Sequence, residues 1–206
     1  EQGTTLNNAW TGGLSAPQFS SIDLNFDGIK DLFVFDRGSN QVLTFLNGGK
    51  ANTIDYAYHP EYEAKFPAMR SWCLLRDYNG DGLDDIFTAI PGGIAVYKNM
   101  SSAANGTRFQ LVTESLEAYY NPFTTAIYVG NQDIPALIDA DGDGDLDVLT
   151  FELSTGNGDG MYFFKNQSQE KYKHNDSLDF VLEKTCWGKF RENPNNCDVT
   201  LNDCSN

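Results

Sequence analysis

Three stretches of this 206-residue chain gather carboxylates in one pattern: DLNFDGIKD at 23–31, DYNGDGLDD at 77–85 and DADGDGDLD at 139–147. Each reads D-x-[DN]-x-D-G-x-x-D. Positions 1, 3 and 5 bring side-chain oxygens from Asp23, Asn25 and Asp27, from Asp77, Asn79 and Asp81, and from Asp139, Asp141 and Asp143. Position 9 adds Asp31, Asp85 and Asp147. Two carboxylates about 4.5 Å apart repel by about 3–4 kcal/mol at an effective dielectric near ~20. A chain that repeats this cost three times has a use for it. Alternate side chains of a curled loop converge on one point, and Gly28, Gly82 and Gly144 at position 6 permit the sharp turn. Position 7, which is Ile29, Leu83 or Asp145, offers its backbone carbonyl. The donor set is all hard oxygen on a flexible frame, which suits Ca²⁺ better than Mg²⁺ or zinc. The pattern predicts three calcium sites, in which the ion cancels the repulsion. The third loop, with an aspartate at position 3, is expected to bind tightest.

Two other readings of the loops are weaker. An EF-hand needs a bidentate Glu at position 12 and flanking helices. Position 12 is Val34, Thr88 or Thr150, and the flanks are strand-like. A plain solvated Asp-Gly turn accounts for one such loop. It does not account for three copies in one strand context.

The elements that position the loops are short apolar runs. APQFSSI, WCLLR and DIPALI precede the loops, and DLFVF, DIFTAI and DVLTFEL follow them. After a Gly-rich turn come GSNQVLTFLN, PGGIAVYKN and GDGMYFFKN, then the weaker runs YEAKF, FQLVTES and LDFVLEK. Each unit reads as a four-stranded antiparallel meander, so the expected class is all-β. The units divide the chain into an N-terminal segment (1–18, with Trp10 as an anchor), blade 1 (19–66), blade 2 (67–130), blade 3 (131–185) and a Cys-containing tail (186–206) leading into missing sequence. Helical periodicity is confined to PEYEAKFPAM and ESLEAYYN, and Pro interrupts the first.

Bulk properties narrow the partners. Forty per cent hydrophobic and 13% aromatic residues fit a globular chain. The formal charge of −15 argues against nucleic acid and anionic membrane. No run of about 18 apolar residues is present, so direct membrane insertion is not expected. The chain starts at Glu1, which reads as a processed N-terminus. Cys73, in SWCLLRD, reads as a buried free thiol. Cys186, Cys197 and Cys204 lie in the polar tail, where Cys197 and Cys204 flank a DVTLND hairpin that a disulfide would close in an oxidising compartment. Connectivity stays open at this level. No G-x-S-x-G, H-E-x-x-H or P-loop pattern occurs, and His59 and His174 stand alone. No catalytic constellation is visible, so a non-enzymatic role is expected. The aromatic clusters YAYHPEY (56–62) and YYNPF (119–123) read first as packing and second as platforms for sugars.

The loops and strands together resemble FG-GAP or VCBS-type repeats, the calcium-bearing blades also found in integrin α-subunit propellers. The resemblance covers about residues 15–185 and rests on D-x-[DN]-x-D-G-x-x-D-[LIV], a Gly turn, and an aromatic strand ending in Asn: FLN (45–47), VYKN (96–99) and FFKN (163–166). The literal FG and GAP signatures are absent, which favours the VCBS-like branch. The resemblance implies β-propeller blades, with the three present here forming part of a larger, seven-bladed ring. NNAWTGGLSAPQFSSIDLN and CWGKF also resemble the N-terminal region of large secreted Bacteroidota surface proteins exported by the type IX secretion system. Asp176-Ser177-Leu178 resembles the O-glycosylation site of that group, making Ser177 a candidate. The implied function is a calcium-stabilised binding, adhesion or scaffolding module, secreted or on the outer cell surface. Its expected partners are other surface or secretion proteins or glycans. A propeller-fold polysaccharide-degrading enzyme and a secretion cargo held by export machinery are the alternatives.

Overall fold

Each acidic loop joins two antiparallel strands in the same register. Strands β1 (Pro17–Ile22) and β2 (Asp31–Asp36) flank the first loop. Strands β5 (Cys73–Arg76) and β6 (Asp85–Ile90) flank the second, and β11 (Ala136–Ile138) and β12 (Asp147–Phe151) flank the third. The residue before each loop pairs with the loop's position 9: Ile22 with Asp31, Arg76 with Asp85, Ile138 with Asp147. The computed structural model describes residues 8, 11–152, 160–193, 196 and 198–202.

Third strands follow at β3 (Gln41–Asn47), β7 (Gly93–Asn99) and β13 (Met161–Asn166), and fourth strands at β4 (Tyr56–Tyr58), β8 (Phe109–Thr113) and β14 (Phe180–Lys184). The first two sheets are four-stranded meanders, β1-β2-β3-β4 and β5-β6-β7-β8. The all-β class and the antiparallel four-stranded unit expected from the sequence are present. The described sheets form no closed ring.

The third sheet departs from expectation. A hairpin of β9 (Glu117–Tyr119) and β10 (Thr124–Ala126) adds to its edge, with β9 parallel to β14, so six strands run β10-β9-β14-β13-β12-β11. ESLEAYYN is therefore strand, not helix, and residues assigned to the second unit join the third sheet. Leu116 and Ala118 are buried while Glu117 and Tyr119 are exposed, and that period of two decides for strand. YEAKF is not the fourth strand of the first unit either. A 3₁₀ helix occupies Pro60–Lys65, and β4 lies upstream of it. Pro60 cannot donate to a ladder, and its fixed φ suits a helix start. A five-residue helix, α1 (Ser168–Tyr172), has no counterpart in the sequence reading.

Two cores hold the sheets together. Ile22, Leu24, Phe33, Phe35, Phe66, Met69, Cys73, Leu75 and Ile86 join the first sheet to the second. Phe87, Ala89, Ile94, Val96, Leu137, Val148, Phe164 and Phe180 join the second to the third, and Leu116, Ala118, Ile127 and Val129 around the added hairpin complete that layer. Along β6, Ile86 belongs to one core and Phe87 and Ala89 to the other. The second sheet is thus covered on both faces, which is why its strands read as unbroken apolar runs. Each fully buried Phe or Ile contributes roughly 1.5–3 kcal/mol.

The tail forms a second hairpin, β15 (Phe190–Glu192) with β16 (Val199–Leu201). Cys186 is disulfide-bonded, and Cys73 is a buried free thiol whose pKa burial pushes up. The expected Cys197–Cys204 closure and the Trp10 anchor lie outside the described residues. Among the described residues no helix is long and apolar enough to cross a membrane.

Candidate metal centre

The three loops share one hydrogen-bonded frame. At position 1, Asp23 Oδ1 accepts from Phe26 N at 2.7 Å and Oδ2 from Gly28 N at 3.0 Å. Asp77 takes Gly80 N and Gly82 N, both at 2.8 Å. Asp139 takes Gly142 N at 2.7 Å and Gly144 N at 3.0 Å. At position 5, Asp27, Asp81 and Asp143 accept from the backbone N–H of Ile29, Leu83 and Asp145 at 2.8, 2.9 and 3.1 Å. The carboxylates therefore fold the loop around themselves. Both glycine-rich positions need left-handed backbone: position 6 has φ of 84° to 98°, and position 4 has φ of 64° at Phe26, 74° at Gly80 and 85° at Gly142.

Position 9 ties the loop to the sheet. Asp31 Oδ2 accepts from Leu24 N and Oδ1 from Asn47 N, both at 2.8 Å. Asp85 accepts from Tyr78 N at 3.2 Å and Asn99 N at 2.7 Å. Asp147 accepts from Ala140 N and Asn166 N, both at 2.9 Å. These three aspartates are 1%, 0% and 0% exposed. Burial raises all three pKa values, to about 6 for Asp85 and Asp147; the backbone N–H groups oppose the shift and neighbouring loop carboxylates add to it.

The partner asparagines end the aromatic third strands, and the structure gives them a role that the sequence pattern does not. Asn47, Asn99 and Asn166 each donate Nδ2 to the position-8 carbonyl, from Lys30, Asp84 and Leu146, at 3.1, 3.0 and 3.3 Å. Their recurrence at the end of each third strand was the available signal. Asp145, expected to offer only its carbonyl, also has a buried side chain that accepts from Gln169 N of α1 at 3.0 Å. Burial comes first among the causes that push its pKa up to about 6.

The loops differ in which charges they bring together. Among the described residues, carboxylate oxygens of Asp139, Asp141 and Asp147 lie within 4.8 Å of one another, as do those of Asp141, Asp143 and Glu170. No trio from the first or second loop reaches that closeness, and both have Asn at position 3. In the first loop Asn25 Nδ2 donates to Asp27 Oδ2 at 2.9 Å. In the second, Lys98 Nζ lies 3.4 Å from Asp81 Oδ2. In the third, Lys165 pairs with Asp141, Asp143 and Glu170. Glu170 and these lysines were missed because only the fold brings them to the loops. The first two loops are also joined, by Lys30 Nζ to Asp84 at 2.9 Å, and Thr107, just before β8, donates Oγ1 to Leu24 O of the first loop at 3.1 Å.

A second feature sits at the far end of the strands. A cavity of about 440 Å³ is lined by Tyr120, Phe123, Tyr128, Phe151 and Tyr162, with Thr125 at its wall. Phe123 is 57% exposed. Part of YYNPF thus opens onto a cavity; Tyr58 of YAYHPEY packs on Phe45 with ring centroids 5.4 Å apart and lines another cavity, of about 700 Å³. His59 and His174 pair locally with Glu61 and Asp176. Ser177, the glycosylation candidate, is half-buried, and its carbonyl accepts from Ser168 Oγ at 2.8 Å.

Residues 77–150 match the family model described as FG-GAP-like repeat. The match runs from the first residue of the second loop to just beyond the third, so this part of the chain is similar to that repeat. Repeats of this kind are typical of extracellular domains. No curated protein and no solved structure matches the chain.

Proposed function

We propose that this chain is part of a calcium-stabilised propeller, a binding or scaffolding module of a secreted or cell-surface bacterial protein. The observation that carries the reading is the frame shared by three successive sheets: the position-1 and position-9 carboxylates make the same backbone hydrogen bonds each time. The donor chemistry fits the ion, since every candidate ligand is a hard oxygen and the third loop already gathers three carboxylates within 4.8 Å. Asp23, Asn25, Asp27 and Asp31 would hold it in the first loop, with the Ile29 carbonyl. Asp77, Asn79, Asp81, Asp85 and the Leu83 carbonyl would do so in the second. Asp139, Asp141, Asp143, Asp147 and the Asp145 carbonyl would form the third site. Bound calcium supplies positive charge that offsets the loop repulsion. Because the unfolded chain has no such frame, the ion adds to folding stability, by about 2.7 kcal/mol at a hundred times its Kd.

For the partner, the aromatic cavity favours a glycan over a charged ligand. Ring faces suit the C–H face of a sugar, Thr125 is among the lining residues, and none of them is charged. The acidic loops lie at the opposite end of the strands, so their carboxylates do not flank a sugar held there. That separation favours binding over the polysaccharide-degrading alternative.

Native mass spectrometry with and without a chelator, beside a thermal melt, tests the reading. Three calcium ions lost to chelator, with a fall in Tm, are expected. A protein that carries no calcium at millimolar concentration and melts identically in chelator would overturn it. On a glycan array the chain should bind neutral sugars, and Phe123→Ala should abolish binding without lowering Tm; binding untouched by that substitution would remove the cavity from the proposal.

A further inference from the structure

The residue just before each clamping asparagine differs among the loops: Leu46, Lys98 and Lys165. This position is held firmly. Asn166 is tied through its N–H to Asp147 and through its side chain to Leu146 O, and Lys165 is in register with Val181 on β14. The lysine stem therefore starts from a fixed point beside its loop. Lys98 Nζ reaches one ligand candidate, Asp81, at 3.4 Å, and stays 33% exposed. Lys165 Nζ reaches two, Asp141 and Asp143, and is 17% exposed. It also pairs with Glu170, which lies outside the nine-residue loop on α1. Leu46 has no charge to offer the first loop.

We propose that Lys165 is a tethered cation that competes with calcium for Asp141 and Asp143, and that Glu170 is where its ammonium rests when the ion is bound. The proposal rests on the calcium reading above. A tethered group acts at a high effective concentration, millimolar for a short flexible link, so it competes even with abundant ions. Calcium and the ammonium cannot both use the oxygens at positions 3 and 5. The third loop, richest in carboxylates, is thereby the one most occupied by the protein's own cation. Its calcium affinity falls below that of the first loop, reversing the order that carboxylate number alone predicts. Lys98, facing a single carboxylate, places the second loop between them. Glu170 makes the exchange reversible, because Lys165 leaves the loop without losing its charge partner.

Each loop carries its own reporter, the amide of its position-6 glycine. Calcium titrations of the whole ¹⁵N-labelled chain, followed at Gly28, Gly82 and Gly144, separate the sites. In the unaltered protein Gly144 should titrate at higher calcium than Gly28. Lys165→Met, which keeps the stem, should move the Gly144 midpoint to about tenfold lower calcium and leave Gly28 in place. Glu170→Gln should move Gly144 the other way, and should do nothing in the Lys165→Met background, since a resting place has no role without its lysine. Lys171→Met removes a nearby charge that pairs with Asp179 instead, and controls for general electrostatics. The proposal is overturned if Lys165→Met leaves the Gly144 midpoint unmoved or moves it no more than Lys171→Met does. Loss of affinity from Glu170→Gln in the Lys165→Met background would overturn the resting role, making Glu170 a ligand. If none of the three glycine amides responds to calcium, it is the calcium reading that fails.

Discussion

The first and third acidic loops share the same clamp and manage their charge in opposite ways. Asp31 and Asp147 each accept from the position-2 N–H and from the asparagine that ends the third strand. Around that common frame, the first loop relieves its repulsion internally, through the Asn25 amide on Asp27. The third loop recruits Lys165 and Glu170, and it is also covered from outside: Asn175 Nδ2 donates to Gly144 O at 2.8 Å, and Gln169 N donates to the Asp145 carboxylate. The frame is written within the nine residues and the asparagine that closes them, while the third loop's charge balance is written elsewhere in the chain.

The largest effect should come from removing the shared clamp. Asp31→Ala or Asp147→Ala leaves two backbone N–H groups, one on the loop and one on the strand, without their acceptor. Each buried unsatisfied donor costs about 1–3 kcal/mol, so about 2–6 kcal/mol of folding stability should be lost in chelator. Urea denaturation checks this. The two losses should be similar, because the clamp geometry is the same. Losses under about 1 kcal/mol would mean that the position-9 aspartate is only a metal ligand. A much larger loss at one site would mean that the frame is not really shared.

Much of this division was legible before the fold was known. Positions 1, 5, 6 and 9 of each loop act locally, and the apolar runs beside them gave the strands by their composition. What escaped the sequence was set by distant partners. ESLEAYYN fits both periods over so few residues, and its pairing with β10 and β14 makes it strand. Helix α1 has five residues, too few for a periodic signal, and it is held by its contacts with the third loop. Lys98 and Lys165 sit 13 and 18 residues beyond Asp85 and Asp147, with a turn between. Nothing local says that they return to the loops. The asparagines were the exception, since their recurrence was visible and only their role was not.

A medium effect separates the metal-free loops from their loaded form through pH. Burial raises the pKa of Asp31, Asp85 and Asp147 above the unfolded value of 3.8, to about 6 for the last two. The folded state then binds more protons than the unfolded state between those values, so stability falls as pH rises through that window. In chelator, Tm should be higher at pH 4.5 than at pH 7.5, roughly. Asp36, whose pKa is lowered chiefly by the Ala16 N–H, loses its contribution only below about 4, outside that window. Calcium favours the ionised ligands, so saturating calcium should reverse the order of the two melting points. A metal-free Tm that rises with pH would show that the buried aspartates are not the dominant titrating groups.

The smallest effect tests how far the first loop has drifted from the other two. Position 4 needs left-handed backbone, and Gly80 and Gly142 supply it without strain. Phe26 adopts φ of 64° there, which costs a residue with a Cβ about 1–2 kcal/mol. Phe26→Gly removes that strain but adds about 0.5–1 kcal/mol of unfolded-state entropy and gives up the contacts of a half-buried ring. The terms nearly cancel, so stability should change by less than about 1 kcal/mol. The reverse change, Gly142→Phe, carries the strain into the third loop, where no ring has been accommodated, and should lower stability by about 1–2 kcal/mol. Equal losses from both substitutions would mean that the Phe26 ring, not the backbone, holds the first loop in place.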